Sequence, residues 1–327
     1  MRRWSSGAAS GIACIVAAML LLSLQDSLIK WLGDTYALHE IVLTRSVIAA
    51  TVIVVVLAVT ARLALLRISR WPLHLARGLL LVVSNSTFFL GLIAMPIAEA
   101  VAMFFVAPLF ITVLAALVLR EPVGPRRLFA VLAGFAGVVI VVRPGSGLFG
   151  YVALLPVAAA ATYAVMQILT RRLGTTDSAP AMALSVQMVF IVVSVGMGLA
   201  VGDGRFAGSD DPSLNFLLRA WRVPAAGDVP LLALVGLLIA AASVLMSQAY
   251  RITAPATIAP FEYIALPFSA AWGFLFWGEV PDAIAILGMG LIVGSGVFIV
   301  LRTEQIRAGA PMPAEAVPTA PRSGQSG

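Results

Sequence analysis

The chain has 327 residues, 61% of them hydrophobic and only 11% charged, with a net charge of +6 and a mean hydropathy of +1.03. That balance excludes an ordinary soluble domain, in which about a quarter of residues are charged. The positive charge does not point to nucleic acid, because the arginines gather in short connectors between apolar runs, the topology pattern of membrane proteins.

Ten apolar runs are predicted as membrane helices: 10–32, 38–59, 76–94, 97–119, 127–143, 149–170, 180–201, 229–250, 255–278 and 282–301. Each is close to the roughly 20 residues that a bilayer needs. The first run follows MRRW and lacks a small-residue cleavage site, so it is read as a retained helix. It holds Cys14, the one cysteine, where a packing role is expected. With the N-terminus in the cytoplasm, Arg62, Arg67, Arg70, Arg77, Arg120, Arg126, Arg127, Arg171, Arg172, Arg251 and Arg302 all fall on the inner side. Both termini are therefore expected in the cytoplasm of a bacterial inner-membrane protein.

The stretch Leu24–Arg45 carries unusual charge for its depth: Asp26, Lys30, Asp34, Glu40 and Arg45. A hairpin turning at Gly33–Asp34 puts Asp26 and Arg45 both roughly 10 Å in from the turn, and Lys30 and Glu40 both roughly 3 Å in. The pairings expected are Asp26 with Arg45 and Lys30 with Glu40. Charges at such depth are costly unless paired or facing water. Two readings stay open, a structural salt-bridge network and the wall of a polar cavity.

In the third run, Ser84, Asn85, Ser86 and Thr87 are consecutive and polar, so some must face a cavity or a neighbouring helix; Asn85 is the cavity candidate. Glu99 starts the fourth run and suits a helix N-terminus. Tyr163, Gln167, Gln187, Ser247 and Gln248 are weaker cavity candidates, and Glu262 and Tyr263 lie mid-membrane in the ninth run. Glu262, with Asp26, is a candidate for proton coupling. The long connector Gly202–Asp228 contains PSLNFLLRAW. Its reading is an interfacial helix capped by Ser213, with Leu214, Leu217, Leu218 and Trp221 on one face. Trp31, Trp272 and Trp277 suit an interfacial aromatic belt. Gly134 and Gly137, and Gly288, Gly290, Gly294 and Gly296, permit close helix contacts inside the bundle or, less favoured, at a dimer interface; Gly290 and Gly294 form a GxxxG. Residues 302–327 read as a disordered cytoplasmic tail, rich in Pro, Ala, Ser and Gly towards its end.

The chain also repeats itself. At an offset of 158 residues, from Glu121 to Glu279, Gly78-Leu79-Leu80 matches Gly236-Leu237-Leu238, and Ala98, Ala107, Phe110 and Leu117 match Ala256, Ala265, Phe268 and Leu275. Five helices is an odd number, so a second copy enters the membrane from the opposite side. The expected fold class is thus an all-α integral membrane protein of ten transmembrane helices in two inverted five-helix repeats, residues 1–145 and 146–301. Near the starts of the halves LIKWLG (Leu28–Gly33) lines up loosely with ILTRRLG (Ile168–Gly174), so Asp26 corresponds to Gln167, Lys30 to Arg171 and the region of Arg45 to Val186-Gln187. At the 158-residue offset Glu262 corresponds to Phe104; the polar positions thus differ between halves. A symmetric scaffold with an asymmetric cavity fits one substrate held in one orientation.

The stretch MPIAEAVAMFFVAPLFITVLAALVLREP, the following GFAGVVIVVRPG and the later LFWGE resemble the EamA branch of the drug/metabolite transporter superfamily over about residues 10–301. The resemblance implies ten helices, inverted repeats and alternating-access movement of small metabolites such as amino acids.

What is missing narrows the chemistry. His39 and His74 fall at opposite membrane surfaces, and no HExxH, Cys/His cluster or P-loop lysine motif is present. No catalytic constellation, metal or cofactor is expected. The reading is a secondary transporter of a small polar or amphipathic metabolite, amino-acid-like first, as a monomer or homodimer in the bilayer and without nucleic acid. The candidate cavity residues are Asp26, Glu40, Arg45, Asn85, Tyr163, Gln187, Glu262 and Tyr263. A membrane-embedded enzyme and a non-transporting assembly protein are the alternatives.

Overall fold

A computed structural model describes residues 6–118, 120, 124–143, 150–173, 177–253 and 260–309. Glu121, Ala256 and tail residues 310–327 lie outside the described residues, as do the side chains of Arg171 and Ser247. The helices are α1 (Ser6–Gly33), α2 (Leu38–Val59), α3 (Trp71–Ile93), α4 (Ile97–Phe104), α5 (Ala107–Val118) and α6 (Pro125–Val142), then α7 (Leu154–Leu173), α8 (Ala179–Val201), α9 (Pro212–Leu218), α10 (Val229–Ile252), α11 (Ala265–Trp277) and α12 (Ala283–Gly309). No strand occurs among the described residues. Among the described residues seven spans, with α4 and α5 counted as one, are long and apolar enough to cross a membrane; α6 and α12 supply shorter apolar stretches, Leu128–Val142 and Ala283–Ile299.

Local sequence sets the ends. Proline in the first turn opens α3, α6, α8, α9 and α10, where its missing N–H costs nothing. Gly278, at φ 67°, closes α11 in the left-handed conformation that glycine tolerates. α12 runs eight residues past the predicted end at 301, because Arg302–Ala308 contains neither glycine nor proline and several good helix formers.

The span 97–118 is one run in sequence and two helices in space. Pro108 cannot donate to the carbonyl of Phe104 and its ring crowds it, so the chain tightens at Phe105–Val106 into short bonds such as Val106 N–H to Met103 O, 3.3 Å. Pro267 stands in the same relation to Tyr263, and the turn at Tyr263–Ile264 precedes α11. The two breaks are 158 residues apart, the offset of the sequence repeat. The rings of Phe105 and Tyr263 meet there, with centroids 4.7 Å apart.

The hairpin reading of α1 and α2 needs correction. They are joined by a short turn but scarcely touch; α1 packs on α10 and α11, while α2 packs on α8 and α10. α3 packs on α7 and α8, and α6 on α12. Glycines set the closest approaches. A Cβ on Gly137 would lie 2.7 Å from the carbonyl oxygen of Gly288, and one on Gly288 would lie 2.8 Å from that of Gly137. Gly290 and Gly294, the formal GxxxG, meet nothing within 4 Å. Gly137→Val should therefore lower stability in thermal unfolding by about 1–3 kcal/mol through overpacking, whereas Gly294→Val should leave it unchanged.

The long connector is docked on the bundle, and its cap and its buried face differ from the reading. Asp211, not Ser213, caps α9 by accepting the Leu214 N–H at 2.9 Å. Ser213 instead donates to the Leu90 carbonyl at 2.6 Å, and Phe216 is 1% exposed, packed over Gly33. Arg219 donates to the Gly33 carbonyl (2.7 Å), and the Tyr36 hydroxyl donates to Asp228 (2.7 Å). The sequence face of Leu214, Leu217, Leu218 and Trp221 missed Phe216, whose side chain plugs the α1–α2 turn.

Candidate functional site

Several helices present a polar stripe to one cavity of about 390 Å³ between them. On α1 the lining residues Met19, Leu22, Ser23 and Asp26, with Gln25 beside them, follow helical spacing; on α3 Leu81, Ser84, Asn85 and Phe88 do the same. α2 contributes Arg45, α7 Tyr163, α8 Gln187 and Phe190, and the α4 end Phe104 and Phe105. Glu262 and, on α11, Ser269 complete the polar wall. The volume is in the range of sites for small organic molecules, about 300–1,000 Å³.

Arg45 dominates the electrostatics. It is 5% exposed and donates from Nη2 to the Asn85 side-chain oxygen. Its Cζ lies 5.4 Å from the ring centroids of both Phe89 and Phe190, so ring faces take part of the charge. Among the described residues no carboxylate comes within ion-pair distance of it. Asp26 faces the same cavity, as its matched depth suggested, and accepts from Gln25 Nε2 at 3.2 Å. Asp26 and Arg45 thus share a cavity without forming the direct pair that was expected.

The expected Lys30–Glu40 pair is absent. Lys30 binds Glu279, Nζ to Oε1 at 2.6 Å, and donates to the Met95 carbonyl at 2.8 Å. The second oxygen of Glu279 takes the Ile97 N–H at 2.9 Å, at the start of α4. Glu40 lies outside the cavity, where its Oε2 accepts the Arg222 backbone N–H at 3.4 Å. Tyr263 is outside it too, buried between Phe105 and Gly296. Asp26, Arg45, Asn85, Tyr163, Gln187 and Glu262 line the cavity as read from sequence. The aromatic wall went unread: Phe88 contacts Phe104 at 5.3 Å and Phe104 contacts Tyr163 at 5.7 Å. Its one legible signal was phenylalanine beside the polar residues of α3 and α8. Glu99, expected to serve its helix terminus, is buried in the first turn of α4 with Oε2 unpartnered among the described residues.

His74 lies at the opposite end of the bundle from His39. Its Nε2 meets Asp177 at 2.7 Å and its Nδ1 meets Ser185 at 3.1 Å. Ser185 is buried and donates to the Met182 carbonyl at 2.9 Å, so this serine, histidine and aspartate present no nucleophile. Their role is to hold a connector. The Ser69 hydroxyl and the His74 ring lower the Asp177 carboxyl from its ordinary 3.8 to about 2. An acid whose folded value is depressed stabilises the fold above its unfolded value and loses that contribution on protonation. Stability should hold above about pH 4 and fall as pH drops from there towards 2, and Asp177→Asn should blunt that fall in thermal unfolding. Among the described residues no group of three or more His, Cys, Asp or Glu side chains is placed to hold a metal ion.

Sequence comparison gives this cavity its context. The EamA-like transporter family matches residues 9–143. A riboflavin transporter of Rhizobium johnstonii is 31% identical over 234 residues, 72% of this chain and 71% of its own. This chain belongs to the EamA-like transporter family. Other family members that it resembles include an S-adenosylmethionine uptake transporter of Rickettsia prowazekii, 24% identical over 89% of this chain and 92% of the other. The pseudopaline exporter CntI of Pseudomonas aeruginosa is 28% identical over 87% and 93%. A solved crystal structure aligns at a TM-score of 0.57 and 19% identity, over 94% of this chain and 100% of the other, and speaks to the fold alone. As an EamA-like protein with this many apolar helices, the chain is a multi-pass membrane transporter rather than an enzyme.

Proposed function

We propose that this protein is a secondary transporter that carries a small amphipathic metabolite across the bacterial inner membrane by alternating access. The observation that carries this reading is the cavity itself: Arg45 and Asp26, of opposite charge, face one chamber without bonding to each other, and helices from both parts of the chain wall it.

Ten crossings in two inverted copies are part of the proposal. The packing supports it by coming in exchanged pairs: α1 on α10 answers α7 on α3, α2 on α10 answers α8 on α3, and α1 on α11 answers α7 on α4 and α5. The pairs α2 with α8 and α6 with α12 are their own counterparts. The matched breaks at Phe105 and Tyr263, with their rings in contact, support a two-fold axis between the copies. Arginine-rich connectors on one side support cytoplasmic termini.

The relatives are named for riboflavin, S-adenosylmethionine and pseudopaline, molecules that join polar groups to an organic frame. A cavity of about 390 Å³ holds more than a small amino acid fills, and riboflavin is the first compound to try. Proton coupling is assigned to Glu262, with Asp26 as the second acid. Purified protein in vesicles should accumulate riboflavin when a pH gradient is imposed, and Glu262→Gln should transport without responding to that gradient. Uptake indifferent to the gradient in the unaltered protein would remove the coupling, and absence of any flux across the family's substrates would remove the transport reading.

A further inference from the structure

Two groups of polar atoms in the cavity differ in kind, beside Gln187, Glu262 and Ser269, which also line it. On the α1 side stand acceptors: the carboxylate of Asp26, and Gln25 Oε1, which is buried without a hydrogen-bond partner among the described residues. The Gln25 amide nitrogen is spent on Asp26, which fixes the carboxamide with its oxygen free. On the α2 and α3 side stand donors: the guanidinium of Arg45, and the Asn85 amide nitrogen, whose partner oxygen is occupied by Arg45. The two ring faces flanking Arg45 hold its guanidinium between them, so its remaining N–H groups have a set direction. Gln25 is 2% exposed, and an unmet acceptor buried to that degree is expensive unless a ligand or water satisfies it.

A chain of rings lines the same cavity. Phe88 and Phe104 meet edge to face, and Phe104 meets Tyr163, whose hydroxyl accepts a hydrogen bond from Gln167 at 2.9 Å. Fixing the phenol in this way leaves its ring as a rigid wall. Aromatic surfaces of this kind favour flat ring systems by offset or edge contacts.

We infer that the substrate group read by this site is a flat heteroaromatic ring with a carbonyl–NH–carbonyl edge. The ring lies against Phe88, Phe104 and Tyr163. One carbonyl accepts from Arg45, and the N–H donates to Gln25 Oε1, the acceptor left without a partner among the described residues. Pyrimidinediones, pteridines and flavins carry such an edge. An aliphatic amino-acid zwitterion satisfies Arg45 and Asp26 but offers the aromatic wall no ring, and a flat hydrocarbon offers the polar atoms nothing. The inference rests on the transport reading and deepens it, since it says which part of the cargo is recognised.

The test uses the full chain, purified for thermal-shift binding and reconstituted into vesicles for counterflow. The probes are riboflavin, its N3-methyl derivative, alanine and S-adenosylmethionine. Riboflavin should raise the melting temperature with concentration and exchange across the vesicle membrane. Methylation of the edge nitrogen should weaken binding at least tenfold, and Gln25→Leu should erase most of that difference between the two flavins. Phe104→Ala should weaken both flavins about equally. Equal binding of riboflavin and its N3-methyl derivative by the unaltered protein would overturn the edge. Binding and counterflow of alanine or S-adenosylmethionine without riboflavin would overturn the inference and leave the transporter standing. Selective riboflavin binding without counterflow would keep the recognised edge and remove transport.

Discussion

Arg45→Gln should reduce substrate uptake into vesicles by about 10- to 100-fold while leaving the melting temperature of the purified protein unchanged or slightly higher. A hydrogen bond to a charged group contributes about 1.5–3 kcal/mol, and each 1.4 kcal/mol is about tenfold in an equilibrium constant. The expectation for stability runs against the usual one for a buried arginine. Truncating one partner of a buried ion pair normally strands the other charge. Arg45 has no carboxylate in ion-pair contact among the described residues; it is held by Asn85 and by the faces of Phe89 and Phe190. Glutamine keeps a donor for Asn85 and removes a buried charge that the bundle must otherwise solvate. Normal uptake in the variant would remove Arg45 from the site. A protein that fails to fold would make Arg45 a structural residue.

The largest loss of stability should come from Lys30. Its ammonium is buried against Glu279 and the Met95 carbonyl, and Glu279 also receives the N–H of Ile97. One ion pair therefore ties α1, the turn before α4 and the segment after α11. Lys30→Met should cost about 3–5 kcal/mol, because it leaves the Glu279 carboxylate partly buried and unpaired. Adding Glu279→Gln should restore most of it, since a carboxamide still accepts from Ile97 without carrying a charge. Thermal unfolding of both singles and the double closes the cycle. Additive losses would show that the two side chains stabilise the fold independently of each other. Uptake by the double variant then separates a staple from a moving closure: a staple gives ordinary transport once stability is restored.

Level along the bundle was legible from sequence for Asp26 and Arg45, and direction around the helix was not. Counting residues from the turn put Asp26 and Arg45 at one level, and both reach the same cavity. The same counting put Lys30 level with Glu40, yet Lys30 turns to Glu279, because α1 leans on α10 and α11 rather than on α2. Nothing within residues 24–45 carries that information; it resides in the other half of the chain. Asn85 was identifiable because four polar residues in a row cannot all face lipid. Phe88 and Phe104 were not, since phenylalanine in a membrane helix suits lipid and cavity equally. Pro108 and Pro267 were plain in the sequence, and the breaks they make at matched positions become meaningful only when Phe105 and Tyr263 are seen to touch.

The exchanged pairing of helices also sets a timetable for synthesis. Lys30 and Glu279 are 249 residues apart. At about 5–20 residues per second on the ribosome, the first helix waits for tens of seconds before its acid is made, carrying an ammonium whose charge has no counter-ion, with only the Met95 carbonyl to accept from it. Arg45 waits far less, because Asn85 follows it by 40 residues. The nascent chain is therefore most exposed to membrane quality control through its first helix, until α10 and α11 arrive. Slowing translation late in the message should lower the yield of inserted protein more than slowing it early.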